Sequence, residues 1–230
     1  MERFTSIFDI IGPVMVGPSS SHTAGAARIG GLARRILGEE PAHVVCTLYD
    51  SFAHTGRGHG TDIALVGGLL GLSSHDPQLV NAFTLAKEAA LQVEWHLAQR
   101  SPTGHPNSVH LELTGRETGA KTNVLAVSQG GGKVAVVQID GFFVTVTGQR
   151  HTLLIFHQDR FGAIARVTST LAMGHCNIAY MEVARTARGR EALMVIELDQ
   201  APSEDVLTDI ASMPVVNRVS TCIPEVNGYE

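Results

Sequence analysis

The sequence predicts an α+β chain in two parts: an N-terminal α/β domain over residues 1–148 and a ferredoxin-like unit over 151–224. Three observations predict it. Early in the chain apolar or small residues recur at helical spacing, at Ala26, Ile29, Gly30, Ala33 and Ile36-Leu37, and later runs alternate as strands. Two turns rich in hydroxyls or glycine, each carrying a histidine, open into helix starts. After Gly148-Gln149-Arg150-His151 the pattern restarts and reads β-α-β-β-α-β over about 70 residues.

The first of those turns is Gly17-Pro18-Ser19-Ser20-Ser21-His22-Thr23-Ala24-Gly25. It follows an apolar approach, Ile10 to Val16, preceded by a short amphipathic segment, Phe4 to Ile11. It leads into a helix expected over Ala26–Leu37. The first N–H groups of a helix have no intrahelical partner, and the helix dipole favours negative charge there. Three serines add hydroxyl donors, and His22 can move a proton near neutral pH. A single Ser or Thr would be an ordinary cap. Three serines and a histidine between two glycines exceed what a cap requires. The Lys of a Walker phosphate loop is absent.

Gly38-Glu39-Glu40-Pro41 stops the first helix, and His43–Tyr49 reads as a strand. The second turn, Asp50 to Asp62, is expected as a loop holding His54, Arg57 and a glycine-flanked His59. It leads into a helix over Ile63–Leu72, with Thr61 or Asp62 as cap. Two such helix starts can converge on one small anion, with His22 and His59 on either side. A long helix is expected from His75-Asp76-Pro77 to about Gln99, its face set by Leu79, Phe83, Ala86, Ala90, Val93 and Leu97. Trp95 and His96 then serve packing or surface. Ser101 to Asn107 is a turn cluster. Val109–Leu113, Asn123–Val127, Lys133–Ile139 and Phe142–Val146 alternate as strands. Ser128-Gln129-Gly130-Gly131-Gly132 reads as a hairpin turn, with close approach to a ligand as the alternative.

In the second part, Thr152–Phe156, Ile178–Arg185, Ala192–Leu198 and Val215–Cys222 are strands. Phe161–Met173 and Ser203–Ala211 are helices, the latter capped by Ser203 with Glu204-Asp205 in its first turn.

Composition bounds the function. The 230 residues are 44% apolar and 17% charged, as in a globular protein. A net charge of −5 speaks against nucleic acid as a partner. No apolar run is long enough to span a bilayer, and Met1-Glu2-Arg3-Phe4 lacks a signal-peptide pattern, so no membrane association and a cytoplasmic location are expected. Cys46, Cys176 and Cys222 match neither a zinc-ribbon nor an iron–sulfur spacing, so they read as small buried hydrophobes and no metal site is expected here.

The stretches GPSSSHTAGAARIG and SFAHTGRGHGTDIALVGGLLG together resemble the beta subunit of the iron–sulfur L-serine dehydratases. The SQGGG turn and the VHLEL strand fit the same family. The C-terminal unit resembles an ACT domain, a small amino-acid-sensing module. The first part is also similar to the substrate-binding regulatory domain of some phosphoglycerate dehydrogenases.

The resemblance implies an enzyme of amino-acid metabolism and gluconeogenesis that converts L-serine to pyruvate and ammonia. It implies a [4Fe–4S] cluster with ligands on a partner alpha subunit, and activity only with that subunit. It assigns Ser19, Ser20, Ser21 and Thr23 to the substrate carboxylate and its pocket. Gly60, Thr61 and Asp62 would form the second helix start. His22 and His59 are the candidates for proton transfer, and the resemblance does not say which is the base. Relatives often have Lys where this chain has His54 or Arg57, which leaves an electrostatic role there unassigned.

In the ACT-like unit, His157, Asp159 and Gly162 in the loop after its first strand, and Asn177 before its second, are the implied effector contacts across an interface between two copies. Phe161 stands where the pattern has Pro. A homodimer through this unit is implied, with L-serine as substrate and possible effector. A regulatory amino-acid-binding subunit without catalytic duty is the alternative. A serine hydrolase using Ser20 and His22 is disfavoured, because no GxSxG elbow is present.

Overall fold

The computed structural model describes residues 19–224. The expected segment Phe4–Ile11, the apolar approach Ile10–Val16 and Gly17-Pro18 lie outside the described residues. The described chain divides into two compact units at Val137/Gln138.

In the first unit a π-helical turn, Ser20–Ala24, runs straight into α1, Gly25–Leu37. Helical backbone therefore starts inside the serine stretch, with Ser19 as its cap, rather than after it. Gly38, in the left-handed region at φ 87°, ends α1. Strand β1, Pro41–Tyr49, follows. The expected loop Asp50–Asp62 is instead mostly a helix, α2, Asp50–His59. Two glycines within it weaken helix propensity by about 1 kcal/mol each, but tertiary anchoring outweighs that. The Asp50 carboxylate accepts from Ser101 N at 2.8 Å, Ser51 N donates to Pro106 O at 2.9 Å, and Phe52 is fully buried.

Gly60, at φ 70°, breaks α2 from α3, Thr61–Leu69. The expected side-chain cap is absent at α3, whose cap residue is Gly60. The Asp62 carboxylate accepts from the neighbouring Ile63 N, while Thr61 is wholly buried.

The helix expected up to Gln99 is corrected. A 3-10 turn, Pro77–Asn81, leads to a short α4, Ala82–Glu88, and Ala90 at φ 50° ends it. Gln92–Ala98 is β2, a parallel edge partner of β1. The residues Gln92 to Leu97 fit helical and alternating spacing equally, and pairing with β1 decides between them. Trp95 lies half-buried and His96 exposed on that strand. Strands β3, Ser108–Gly115, β4, Lys121–Gly130, and β5, Lys133–Ile139, extend the sheet in the order β2-β1-β3-β4-β5. The turn between β4 and β5 is formed by Gly130, Gly131 and Gly132 at φ 97°, 59° and 76°, which only glycine adopts readily.

Helices α1 and α3 meet backbone to backbone. A Cβ on Gly30 would stand 2.3 Å from Leu65 O, and one on Gly68 would stand 2.0 Å from Ala27 O. Thr23 touches His59 at one end of this pair, and Arg34 reaches Leu69 O at the other. The two helices thus run in the same direction, with their N-termini side by side.

In the second unit β6, Phe142–Val146, precedes a four-stranded antiparallel sheet in the order β10-β7-β9-β8. Its strands are β7, His151–Gln158, β8, Ile178–Arg185, β9, Glu191–Leu198, and β10, Val216–Cys222. Helices α5, Ala163–Met173, and α6, Glu204–Ala211, bury Val167, Leu171, Val206 and Ile210 with the sheet residues Leu153, Ile155, Met194 and Ile196. Ser203 caps α6, accepting from Val206 N. This is the β-α-β-β-α-β order read from the sequence. The first helix starts two residues later than expected, and Phe161 stands fully exposed before it.

Candidate functional site

The site is built from the two adjacent helix starts of the first unit. Ser19 holds the first. Its hydroxyl accepts from His22 N at 3.2 Å, and its carbonyl accepts from Thr23 N at 2.8 Å. Ser19, Ser20, Ser21 and His22 are half-buried, while Thr23 is buried. The turn is pinned from behind by β4 and its hairpin. Ser128 Oγ donates to Ser21 O at 2.9 Å, and Arg28 donates to Gly132 O at 2.8 Å. A Cβ on Gly130 would lie 3.6 Å from Ser21 Oγ. The glycine hairpin is therefore both a turn and a close neighbour of the serine stretch.

Thr23 Oγ1 donates to His59 O at 3.2 Å, joining the first helix start to the last residue of α2, just ahead of the second. The rings of His22 and His59 stand 5.0 Å apart between centroids, tilted by 41°. Phe52 meets the His22 ring edge-on at 5.2 Å. The Nε2 of His22 lies 3.0 Å from Thr55 Oγ1 and 3.2 Å from Ser51 Oγ, and its Nδ1 lies 3.4 Å from Ser19 Oγ. Burial first, and the adjacent His59 second, hold the His22 pKa below its ordinary value, against an opposing hydrogen bond at Ser51. His22 is thus held neutral at neutral pH.

Several expected residues come together here: Ser19, Ser20, Ser21, His22, Thr23, His59 and Gly60. Thr61 lies at the same helix start but is wholly buried, so it backs the site rather than lining its surface. His54 turns back on its own helix, its Nδ1 bonded to Asp50 O, and is exposed. Sequence reasoning missed Ser51, Thr55 and Ser128. A signal existed for the first two: Ser51, Thr55 and His59 are four apart, one face of a helix. Reading the stretch as a loop hid that stripe.

In the second unit His157 is buried. Its Nδ1 donates to Gln158 O, and its Nε2 has no partner among the described residues. Asp159 accepts from Gly189 N at 2.9 Å and from Arg185 at 3.3 Å, and these lower its pKa, the Gly189 bond most. Gly162, at φ 81°, caps α5. Asn177 bonds Asp199, at the end of the sheet where β8 begins. His157 pairs with Ala192, at the opposite end. One chain therefore does not bring Asn177 together with His157, Asp159 and Gly162.

Cys46, Cys176 and Cys222 are buried and unbridged, and burial raises the Cys46 thiol pKa far above its ordinary value. Among the described residues no group of three His, Cys, Asp or Glu is placed to hold a metal ion. These side chains do not fit an iron–sulfur cluster. No described helix is long and apolar enough to cross a membrane.

The chain is similar to several known proteins. The probable L-serine dehydratase beta chain of Bacillus subtilis (strain 168) is 39% identical over 218 residues, 95% of this chain and 98% of that one. The L-serine dehydratase beta chain of Peptoniphilus asaccharolyticus is 36% identical over 205 residues, 89% of this chain and 92% of that one. A D-3-phosphoglycerate dehydrogenase of Bacillus subtilis (strain 168) is 27% identical over 195 residues, 84% of this chain but only 36% of that one. The ACT domain profile matches residues 151–214. The serine dehydratase beta chain profile matches residues 6–138, which hold the joined helix starts and the histidine pair, and the chain belongs to that family.

Proposed function

We propose that this chain is the beta subunit of an L-serine dehydratase, which together with an alpha subunit converts L-serine to pyruvate and ammonia. The observation that carries this is the His22–His59 pair, 5.0 Å apart, set between two adjacent helix N-termini. The helix ends supply N–H groups and positive dipole ends for a carboxylate. Ser19, Ser20, Ser21 and Thr23 line the carboxylate pocket, Gly60 contributes its main-chain N–H, and Thr61, wholly buried, shapes the second helix start from behind. The substrate's Cα then lies within reach of a histidine. Loss of the Cα proton to a base and of the hydroxyl as water gives aminoacrylate, whose imine form takes up water to yield pyruvate and ammonia. His22 and His59 are the groups here suited to hold or pass that proton.

Among the described residues no side chains are placed to ligate the [4Fe–4S] cluster that the resemblance implies, and its ligands are assigned to the alpha subunit. The serine dehydratase beta-chain domain is assigned to residues 1–148 and the ACT domain to 151–224, although the division into compact units falls earlier, at Val137/Gln138. The chain works in the cytoplasm. In the ACT domain Asn177 lies at the opposite end of the sheet from His157, Asp159 and Gly162, which supports an effector site completed by a second copy in a homodimer. The test is steady-state kinetics of the two-subunit enzyme. Ser20→Ala is expected to raise KM for L-serine, and His59→Gln to lower kcat. Unchanged kinetics in both variants would refute the assignment.

The similarity to D-3-phosphoglycerate dehydrogenase favours a second reading, a regulatory subunit that binds an amino acid without reacting with it. On that reading His59→Gln alters serine binding but leaves the turnover of saturated enzyme unchanged.

A further inference from the structure

We propose that Thr55 is a positioning residue that fixes opposite tautomers in the histidine pair, with the proton of His22 on Nε2 and that of His59 on Nδ1. Its relevance to the reaction rests on the reading that this pair belongs to the active site.

A carbonyl oxygen can only accept. The Nδ1 of His59 lies 3.0 Å from Thr55 O, so that nitrogen carries the hydrogen, and the neutral ring's lone pair sits on Nε2. The hydroxyl of Thr55 has one hydrogen. Ser51 O, at 2.8 Å, takes it. Toward His22 Nε2, 3.0 Å away, Thr55 Oγ1 is left only as an acceptor, so Nε2 is the donor. Ser51 Oγ, at 3.2 Å, shares that same hydrogen.

The other side of the His22 ring agrees. Ser19 Oγ already accepts the main-chain N–H of His22 at 3.2 Å. Its own hydrogen is then available to His22 Nδ1 at 3.4 Å, which requires a lone pair there. The reverse tautomer would place two hydrogens against Ser19 Oγ and would take the Thr55 hydrogen away from Ser51 O.

One residue can serve both rings because of its position. Thr55 sits one helical turn before His59, so its carbonyl meets that ring, while its side chain projects toward His22. The consequence is an asymmetric pair. His22 has hydroxyls at both ring nitrogens. His59 has no partner at Nε2 among the described residues, so that atom is the one left to exchange a proton with a ligand. The low pKa of His22 keeps it in the neutral state in which a tautomer is defined.

The experiment uses the full chain labelled with 15N-histidine. Long-range proton–nitrogen correlation spectra are recorded at about pH 8, above the ordinary histidine range. His22→Gln and His59→Gln identify the two rings. The expected spectra show His22 protonated on Nε2 and His59 on Nδ1. In Thr55→Val, His22 should move to an exchange-averaged pattern. His59, held by a main-chain carbonyl, should keep its own, and this shows that the variant is folded. Thr55→Ser should restore His22. A His22 ring protonated on Nδ1 in the wild type, or unaltered in Thr55→Val, would overturn the proposal.

In the two-subunit enzyme, Thr55→Val should lower kcat about tenfold, as loss of a group that orients a site residue does. KM should change by less than about twofold, and Thr55→Ser should recover the rate. A tautomer that moves while kcat does not would overturn the active-site reading of the pair, and with it the part of Thr55 in the reaction. The tautomer assignment itself would stand on the spectra.

Discussion

Thr23 Oγ1 donates to the main-chain carbonyl of His59 at 3.2 Å, so the turn that opens α1 holds the last residue of α2. Thr23 is 4% exposed, and this bond forms away from bulk water. Thr23→Val keeps the shape and removes the donor. It should destabilise the chain by about 0.5–1.5 kcal/mol. That is a fall in Tm of roughly 2–4 °C per kcal/mol for a chain of this size. Because the lost bond positions His59, catalytic turnover should fall as well. Calorimetry and kinetics on the same preparation check both.

Gly25 and Ser128 form a second tight pair. A Cβ on Gly25 would stand 2.1 Å from Ser128 Oγ and 2.9 Å from its Cβ. Gly25→Ala should therefore destabilise by about 1–3 kcal/mol. Adding Ser128→Ala removes the nearer atom, so the double variant should be more stable than the sum of the two single losses. Gly68→Ala has no such relief, because its Cβ would meet the main-chain carbonyl of Ala27 at 2.0 Å. Its loss should be the larger of the two and should not be recovered by any side-chain change at Ala27. Denaturant midpoints of the four variants decide this.

Much of this was legible in the sequence, for reasons that can be named. Hydroxyl-rich Ser19–Thr23 before a helical stripe marks a helix start, and the β-α-β-β-α-β order of the second unit follows from strong alternation and from Ser203 as a cap. What was not legible depends on distant partners. Residues 50–59 contain helix-weakening glycines, and only anchoring by Ser101, Pro106 and buried Phe52 makes them a helix. Gln92–Ala98 fits two periodicities, and β1 selects the strand. The importance of Ser51 and Thr55 depends on α2 being helical, so missing the helix meant missing both residues.

The lowered pKa of His22 fixes a pH dependence. As pH falls, the unfolded chain takes up a proton at this position before the folded chain does. The site's contribution to stability is therefore complete above about pH 6.5 and is lost progressively below it, down to the depressed folded value. The groups facing the ring are Ser19, Ser51, Phe52, Thr55 and His59. Urea midpoints followed from pH 8 to pH 5 should fall less steeply in His22→Gln than in the wild type. Parallel curves would contradict the account.

In the ACT domain, an effector site shared between copies predicts complementation. Asp159→Ala and Asn177→Ala homodimers should each lose effector binding. A mixed dimer of the two chains should regain about half the sites, since one of the two sites at its interface has both residues intact. Titration calorimetry with L-serine on mixed and unmixed preparations reads this directly.

On the proposed function this chain supplies part of a catalytic site completed by another subunit. The most direct measurement is pyruvate formation from L-serine under anaerobic conditions, with the alpha subunit alone, this chain alone, and the two together. The account predicts activity only in the mixture, and its loss in His59→Ala while the two subunits still co-purify. Full activity from the alpha subunit alone, or an unimpaired His59→Ala mixture, would contradict it.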